Sequence, residues 1–203
     1  DNYPPQEVGE KLVVLPYWKA EEDHDGRRKV ILDPGLTFGT GSHASTQLCL
    51  EGVEEHTAAG RPVLDLGCGS GILSIAALRL GASEAIAVDI DEKCLTVAYD
   101  NAALNNIGKD VYTVKVGNVL TDEAMRTSLG GGYQVVLANI VADVIIPLAP
   151  VVPELLVEGG TFVCSGIIDK RGDEVAAALE KNGLKVIRRF EKNGWIALAA
   201  QVC

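Results

Sequence analysis

The chain has 203 residues, of which 47% are hydrophobic and 23% charged, and its formal net charge is −10. This composition is typical of a globular protein, and no apolar run is long enough for a membrane span, so we expect no membrane partner. The negative charge and the lack of any long Lys and Arg cluster disfavour nucleic acid as a direct substrate and suit a basic protein partner.

The first 29 residues differ from the rest and are predicted to form a lead-in or linker segment. They contain three of the eight prolines and an acidic stretch at residues 21–25. We predict a short strand near residues 11–15 and a polar turn near residues 23–26. Because the chain begins at Asp1 rather than Met, we expect that it was processed or cut from a longer protein. Residues 30–203 are predicted to form one domain.

From residue 30 onward, short apolar runs alternate with segments of helical length. The runs predicted as strands are 62–66, 85–88, 112–116, 134–138, 161–165, 184–190 and 195–200. The segments predicted as helices are 42–56, 71–80, 92–105, 142–156 and 170–182. This alternation predicts an α/β fold with a doubly wound, mostly parallel, seven-stranded sheet. Only residues 191–194 separate the last two strands, which predicts an antiparallel hairpin with an Asn-Gly turn.

A glycine-rich loop follows the first core strand, where Asp65 precedes Gly67, Gly69 and Gly71. Glycine permits close approach of a ligand, and the loop opens a helix N-terminus. A dinucleotide fingerprint needs a glycine where Ile72 stands, so an NAD-dependent reductase is disfavoured. A carboxylate before the loop would repel a pyrophosphate but suits the ammonium of a methionine moiety, directly or through water. The spacing therefore favours S-adenosylmethionine (SAM), with Asp65, Gly67 and Gly69 as contacts; a tight turn without a ligand is the alternative.

The ends of the next strands carry further polar residues. Asp89 ends the second core strand, where an acid can accept both ribose hydroxyls of an adenosine, and Ile90 beside it is assigned to the same cofactor site. Asp91 is predicted to cap the following helix. Asn118 follows the third strand and is predicted either to contact the adenine edge or to form a capping turn.

Asn139 leaves the fourth core strand at the same edge of the sheet. Its carboxamide is predicted to orient a reacting amine, so Asn139 is our catalytic candidate as well as a cofactor contact. The alternative is a cap for the next helix. Asp143 is predicted to be either a base or, more simply, an acid in the first helical turn.

A loop rich in glycine and small polar residues, 33–46, precedes the glycine loop. Phe38 is predicted to cover a flat or aliphatic group of the cofactor. His43 is predicted either to act as a base or to cap the helix that follows.

The five cysteines form no CxxC pair, which fits reduced thiols in a cytoplasmic protein and predicts no metal site.

The loop 33–43, the glycine loop, residues 88–91 and the run 138–143 together resemble the bacterial methyltransferases that modify the eleventh protein of the large ribosomal subunit. The similarity extends from about Asp1 to Gln201. It implies a Rossmann-like, SAM-dependent methyltransferase acting on lysine side chains and the N-terminal amine of a ribosomal protein. The family's cofactor contacts fall on Thr46, Gly67, Asp89 and Asn139. Phe38, Gly39 and Thr40 would line the methyl-donor side.

Two departures from that family weaken the choice of substrate. The recruiting domain that precedes the catalytic domain is missing from this sequence, and the polar stretch 122–132 looks longer than the usual connection. A small-molecule amine, another protein, and a SAM-binding module without catalysis therefore remain alternatives.

Overall fold

A computed structural model describes residues 2–36 and 41–203. The strands in these ranges are β1 (Gln6–Val8), β2 (Leu12–Pro16), β3 (Arg28–Leu32), β4 (Val63–Leu66), β5 (Ala85–Asp89), β6 (Tyr112–Val116), β7 (Tyr133–Asn139), β8 (Leu156–Ile168), β9 (Leu184–Lys192) and β10 (Trp195–Val202). The α-helices are α1 (Ala44–His56), α2 (Ile72–Arg79), α3 (Lys93–Leu104), α4 (Glu123–Leu129), α5 (Ala142–Leu148), α6 (Val152–Leu155) and α7 (Gly172–Lys181).

The main sheet has seven strands in the order β6-β5-β4-β7-β8-β10-β9. The first five run parallel, and β10 is antiparallel to both β8 and β9. The turn between β9 and β10 has positive φ at Asn193 and Gly194, as an Asn-Gly hairpin requires. The predicted α/β fold, with a mostly parallel sheet that ends in an antiparallel hairpin, is confirmed.

Helices cover both faces of this sheet, because alternate residues of each strand point to opposite sides. Val63 of β4 joins a core formed with α1, α2 and α3. Its neighbours Leu64 and Leu66 join a second core, formed with α5 and α7. Burial on both faces explains why the central strands are nearly continuous apolar runs. No helix within residues 2–36 or 41–203 is long and apolar enough to cross a bilayer.

The lead-in segment contributes to a second, three-stranded sheet of order β1-β2-β3. The strand predicted near residues 11–15 is confirmed as β2, whereas β1 and β3 were not predicted. The proposed boundary between residues 29 and 30 falls inside β3, which pairs in parallel with β2. Val14 and Val30 are both buried in the core that also contains α1 and α2. The small sheet therefore packs on the main domain.

The segments before β8 and before β7 differ from the prediction, and β8 itself is longer than the strand predicted over residues 161–165. The single helix expected over residues 142–156 is two short helices, α5 and α6, followed at once by β8. Pro150 lies between the two helices, and Pro153 occupies the first turn of α6, where a missing N–H costs nothing. The polar stretch 122–132, interpreted as a connection, contains α4, whose first turn is capped by the Asp122 side chain accepting from Met125 N–H.

Candidate functional site

The glycine loop follows β4 at the centre of the parallel strands and leads into α2. Gly67, Gly69 and Gly71 all have positive φ, at 82°, 51° and 84°, a region that other residues enter only with strain. Gly67 also lies under Ile140, since an added Cβ would come within 2.9 Å of its Cγ2 atom. A Cβ atom added at Gly69 would have no atom of a neighbouring segment within 4 Å, so the backbone of Gly69 borders open space. The loop thus combines a tight packing point with an open, ligand-accessible backbone.

The loop lies at the point where the strand order reverses, because β4 pairs with β5 on one side and β7 on the other. In open α/β sheets, ligands bind in the crevice at such a switch point, beyond the carboxyl ends of the strands. A cavity of about 350 Å³ occupies this place, within the range of small-molecule sites. Its lining is mainly apolar and includes Gly67, Asp89, Ile90, Asn118 and Ile140. The strands therefore bring several predicted cofactor residues to one cavity.

Asp89 ends β5 and holds two backbone N–H groups with its carboxylate. Oδ2 accepts from Gly69 N–H at 3.0 Å, and Oδ1 accepts from Asp91 N–H at 3.0 Å. A carboxylate has about four lone-pair positions, so both oxygens keep capacity for further donors. Asp91 in turn accepts from Lys93 N–H at the start of α3. The structure thus places Asp89 between the glycine loop and the cavity.

Two further residues line the cavity on the β5 and β6 side. The Ile90 side chain is 74% exposed, unusual for isoleucine, and it offers an apolar surface beside Asp89. The Asn118 Oδ1 atom accepts a hydrogen bond from Leu120 N–H at 2.9 Å. This bond forms the capping turn that was one of the two predicted roles of Asn118. Asn118 still lines the cavity, so the turn and the predicted adenine contact are compatible.

Asp65 lies beneath the loop rather than at its surface. Its side chain shares a face of β4 with Val63 and is fully buried. Oδ2 accepts from the Ser74 hydroxyl at 2.6 Å, while Oδ1 has no hydrogen-bond partner among the described residues. Burial raises the pKa of this carboxyl to about 6, although the Ser74 hydrogen bond favours its charged form. The Asp65 carboxyl is therefore part of the buried layer between β4 and α2 in this structure.

Asn139 ends β7 on the opposite side of the glycine loop from Asp89. Its Nδ2 atom donates to Thr46 Oγ1 of α1 at 3.1 Å, which joins two residues that the sequence could only place separately. The alternative role as a helix cap does not apply, because the N-cap of α5 is Val141. The hydrogen bond orients the carboxamide and leaves its Oδ1 atom as an acceptor.

Two residues inside β8, opposite the end of β7, support this pair and were not singled out from the sequence. Ser165 donates its hydroxyl to the Ser45 carbonyl at 2.7 Å, and its own carbonyl accepts from Ile140 N–H. Gly166 has a φ of 89°, and an added Cβ would lie 2.6 Å from Ile140 O and 3.2 Å from Asn139 Oδ1. Both residues follow a buried apolar run, so the rule that identified Asn139 would have found them too.

His43 caps α1, one of its two predicted roles. Its Nδ1 atom accepts from Ser45 N–H at 3.1 Å, and its ring packs edge-on against Trp195 with centroids 4.9 Å apart. Asp143, the alternative base, lies on the surface, where its Oδ1 atom is 2.6 Å from Arg171 Nη1. Asp143 is also absent from the residues that line the cavity, so its position does not favour the role of a base.

Three predicted residues, Phe38, Gly39 and Thr40, lie outside the described residues. Within the ranges that the structure covers, no group of three or more His, Cys, Asp or Glu side chains is arranged to hold a metal ion. Burial raises the pKa of the Cys68 thiol inside the glycine loop, so it packs as a neutral group.

Comparison with known proteins relates this chain to one family. The family model described as ribosomal protein L11 methyltransferase (PrmA) matches residues 1–202. A ribosomal protein L11 methyltransferase of Agathobacter rectalis is 43% identical over 195 residues, which is 94% of this chain and 60% of the relative. The chain therefore spans about three fifths of that relative's length.

Two solved structures are also similar. A ribosomal protein L11 methylase from Lactobacillus delbrueckii subsp. bulgaricus superposes with a TM-score of 0.87 at 32% identity, covering 98% of this chain and 99% of that one. A TehB-like SAM-dependent methyltransferase from Corynebacterium glutamicum gives a TM-score of 0.60 at 14% identity, with 76% and 87% of the two chains covered. At that identity the likeness concerns the fold alone.

Proposed function

Because the chain belongs to the ribosomal protein L11 methyltransferase family, we propose that it transfers methyl groups from SAM to amines of that ribosomal protein. The acceptors are lysine side chains and the N-terminal amine. One observation carries the proposal: Asp89 and the Asn139–Thr46 pair flank the glycine loop on opposite sides at the switch point of the sheet. The work of such an enzyme is in the cytoplasm, where ribosomal proteins are made and assembled.

The residues present fit a nucleoside-containing methyl donor. The open backbone at Gly69 and the apolar cavity beside Asp89 suit the thioether and adenosine parts, respectively. In this proposal Asp89 accepts the ribose hydroxyls, Ile90 packs on adenine and Asn118 contacts the adenine edge. Gly67 and Gly69 border the methionine moiety. Asp65 acts on the ammonium end indirectly, from beneath the loop, through water or through the loop backbone.

The reaction needs little from the protein besides placement. Bound SAM supplies a methyl group on a positively charged sulfur. A free lysine amine has a pKa of about 10.4 and must be neutral to react, and a partly desolvated site beside a positive charge favours the neutral form. Asn139, whose Nδ2 atom is held by Thr46, accepts a hydrogen bond from the substrate amine through Oδ1. This bond directs the lone pair of the amine toward the methyl group. Positioning of this kind supplies a large part of the rate enhancement.

The acidic character of the chain supports a basic protein as the substrate. A net charge of −10 attracts a positively charged partner and speeds its encounter. Asn139 is followed by Ile140, Val141 and Ala142, with no aromatic side chain to stack on a planar base. This favours a flexible aliphatic amine as the acceptor.

The first test is binding. Calorimetry with S-adenosylhomocysteine (SAH), the demethylated product, should give one site, whereas NAD should give no heat of binding. If NAD binds and SAH does not, the assignment of the crevice to a methyl donor is wrong.

The second test is single-turnover methylation of purified L11 with labelled SAM, using a longer family member as the positive control. We expect Asn139→Ala to lower the single-turnover rate at saturating SAM about 100-fold, because an acceptor amine that is misplaced by about 1 Å reacts that much more slowly. Asp143→Asn should leave the rate unchanged, since Asp143 is paired with Arg171. Full activity of Asn139→Ala would refute the orienting role. Methylation of free amines but not of L11 would favour a small-molecule substrate.

A further inference from the structure

Helix α3 and its C-cap carry two buried asparagines four residues apart, Asn101 within the helix and Asn105 at the C-cap. Their exposed fractions are 0% and 7%, and residues four apart lie on the same face of a helix. A buried carboxamide is tolerated only when its donors and acceptor are paired. The partners of these two side chains are therefore informative.

Asn101 bonds to two segments, one of which is the glycine loop. Its Nδ2 atom donates to the Ser70 carbonyl in the glycine loop at 2.9 Å. Its Oδ1 atom accepts from the N–H of Asp33, the residue that follows β3, also at 2.9 Å. One amide thus ties the glycine loop to the start of the chain segment that leads to α1.

Asn105 makes chemically similar bonds but does not reach the loop. Its Oδ1 accepts from Ile31 N–H at 2.8 Å, and its Nδ2 donates to the carbonyls of Ile31 and Asn101. It fixes β3 against α3. Asn105 is therefore an internal control: it is buried at the C-cap of the same helix and carries the same functional group.

Besides its backbone bonds, from Gly67 and Cys68 N–H to the Val88 carbonyl and from Gly71 N–H to the Cys68 carbonyl, the glycine loop is held by side chains from outside it. Three glycines with positive φ leave the loop backbone many accessible conformations. In the described part of the chain, two side chains from outside the loop bond to its backbone: Asp89 to Gly69 and Asn101 to Ser70. Asp89 faces the cavity and is available to a ligand, whereas Asn101 is buried on the other side of the loop.

We propose that Asn101 is a positioning residue for the cofactor: by holding the Ser70 carbonyl and the Asp33 N–H together, it keeps the glycine loop in the conformation that binds the methyl donor. The proposal rests on the proposed function. When only a fraction of molecules holds the binding conformation, the apparent affinity falls by that fraction. Loss of Asn101 therefore weakens binding without removing any atom that touches the ligand.

The test compares Asn101→Asp with Asn105→Asp. Each change keeps the acceptor and removes the donor, and for Asn101 it turns a carboxylate oxygen toward the Ser70 carbonyl. Calorimetry should give a dissociation constant for SAH at least about tenfold weaker for Asn101→Asp and within about twofold of the parent for Asn105→Asp. Urea unfolding should show that both variants lose stability.

Acid pH supplies a readout that a purely structural role would not move. A protonated carboxyl has an O–H donor, so lowering the pH should restore SAH affinity in Asn101→Asp relative to the parent at the same pH. The Asn101→Ala variant has no donor at any pH, so its affinity for SAH should stay low when the pH is lowered. If Asn101→Asp does not fold at neutral pH, Asn101→Ser, whose hydroxyl satisfies one partner at a time, should give an intermediate affinity.

The inference would be overturned if Asn101→Asp and Asn105→Asp weakened SAH binding equally, or if a folded Asn101 variant bound SAH as tightly as the parent. Failure of the parent protein to bind SAH would instead refute the proposed function, so the two failures are distinguishable.

Discussion

Asp65 provides a quantitative test of how the glycine loop is supported from below. Its carboxyl is fully buried, bonds through one oxygen to Ser74, and has its other oxygen unpaired among the described residues. Burial raises its pKa from 3.8 to about 6. The folded protein therefore holds this proton more tightly than the unfolded chain does.

The size and sign of the effect follow from proton linkage. Below pH 4 the carboxyl is protonated in both states, and its stabilising contribution is fully present. As the pH rises, the unfolded chain loses the proton near pH 4 and the folded protein near pH 6. With about two pKa units between the states, at about 1.4 kcal/mol each, the free energy of unfolding falls by about 3 kcal/mol between pH 4 and pH 7.

Asp65→Asn removes this dependence, because the amide stays neutral and its oxygen still accepts from Ser74. Urea unfolding of both proteins without ligand, from pH 4 to pH 8, should show the variant gaining about 3 kcal/mol over the parent. Asp100→Asn, the same substitution at an exposed aspartate on α3, is measured alongside as the control for the chemical change itself. A difference between Asp65→Asn and the parent that stays constant with pH would refute the reasoning.

Three glycines give further predictions. Gly67→Ala forces a Cβ to within 2.9 Å of Ile140 Cγ2 at a φ of 82°, so SAH affinity should fall at least about tenfold in calorimetry. Gly60 has a φ of 75° and open space around an added Cβ. Gly60→Ala should therefore lower the free energy of unfolding by a similar amount and leave the affinity for SAH unchanged. In α1, Gly52→Ala meets Val163 Cγ1 at 2.5 Å, and overpacking of about 1–3 kcal/mol outweighs a helix-propensity gain of about 1 kcal/mol. Thermal unfolding should show a lower Tm, restored in part by adding Val163→Ala; a higher Tm for the single variant would contradict this.

The position of the candidate site could be proposed from the sequence because its residues follow strands. Gly67, Asp89 and Asn139 each stand at or just after the end of an apolar run, and parallel strands place such ends at one edge of the sheet. The sequence did not predict that β4 pairs with both β5 and β7, which creates the crevice. That strand order depends on contacts between distant segments.

Local patterns were reliable where short-range chemistry decides the structure. The Asn193-Gly194 turn and the loop glycines were identified because few other residues adopt their backbone angles. The cap formed by His43 was one of two predicted roles, and only its hydrogen bond to Ser45 decided between them. The break between α5 and α6 at Pro150 was missed, because apolar residues continue on both sides of it.

The sequence by itself therefore determined the order of elements, the glycine loop and the polar residues at the strand ends. Only the tertiary structure decided which way each side chain faces and which residues it contacts. Asp65 faces the helices because it shares a face of β4 with Val63, and Asn101 reaches Ser70 and Asp33 across 31 and 68 residues of sequence. Short-range patterns record propensity and burial, whereas such hydrogen bonds exist only once distant segments have packed together.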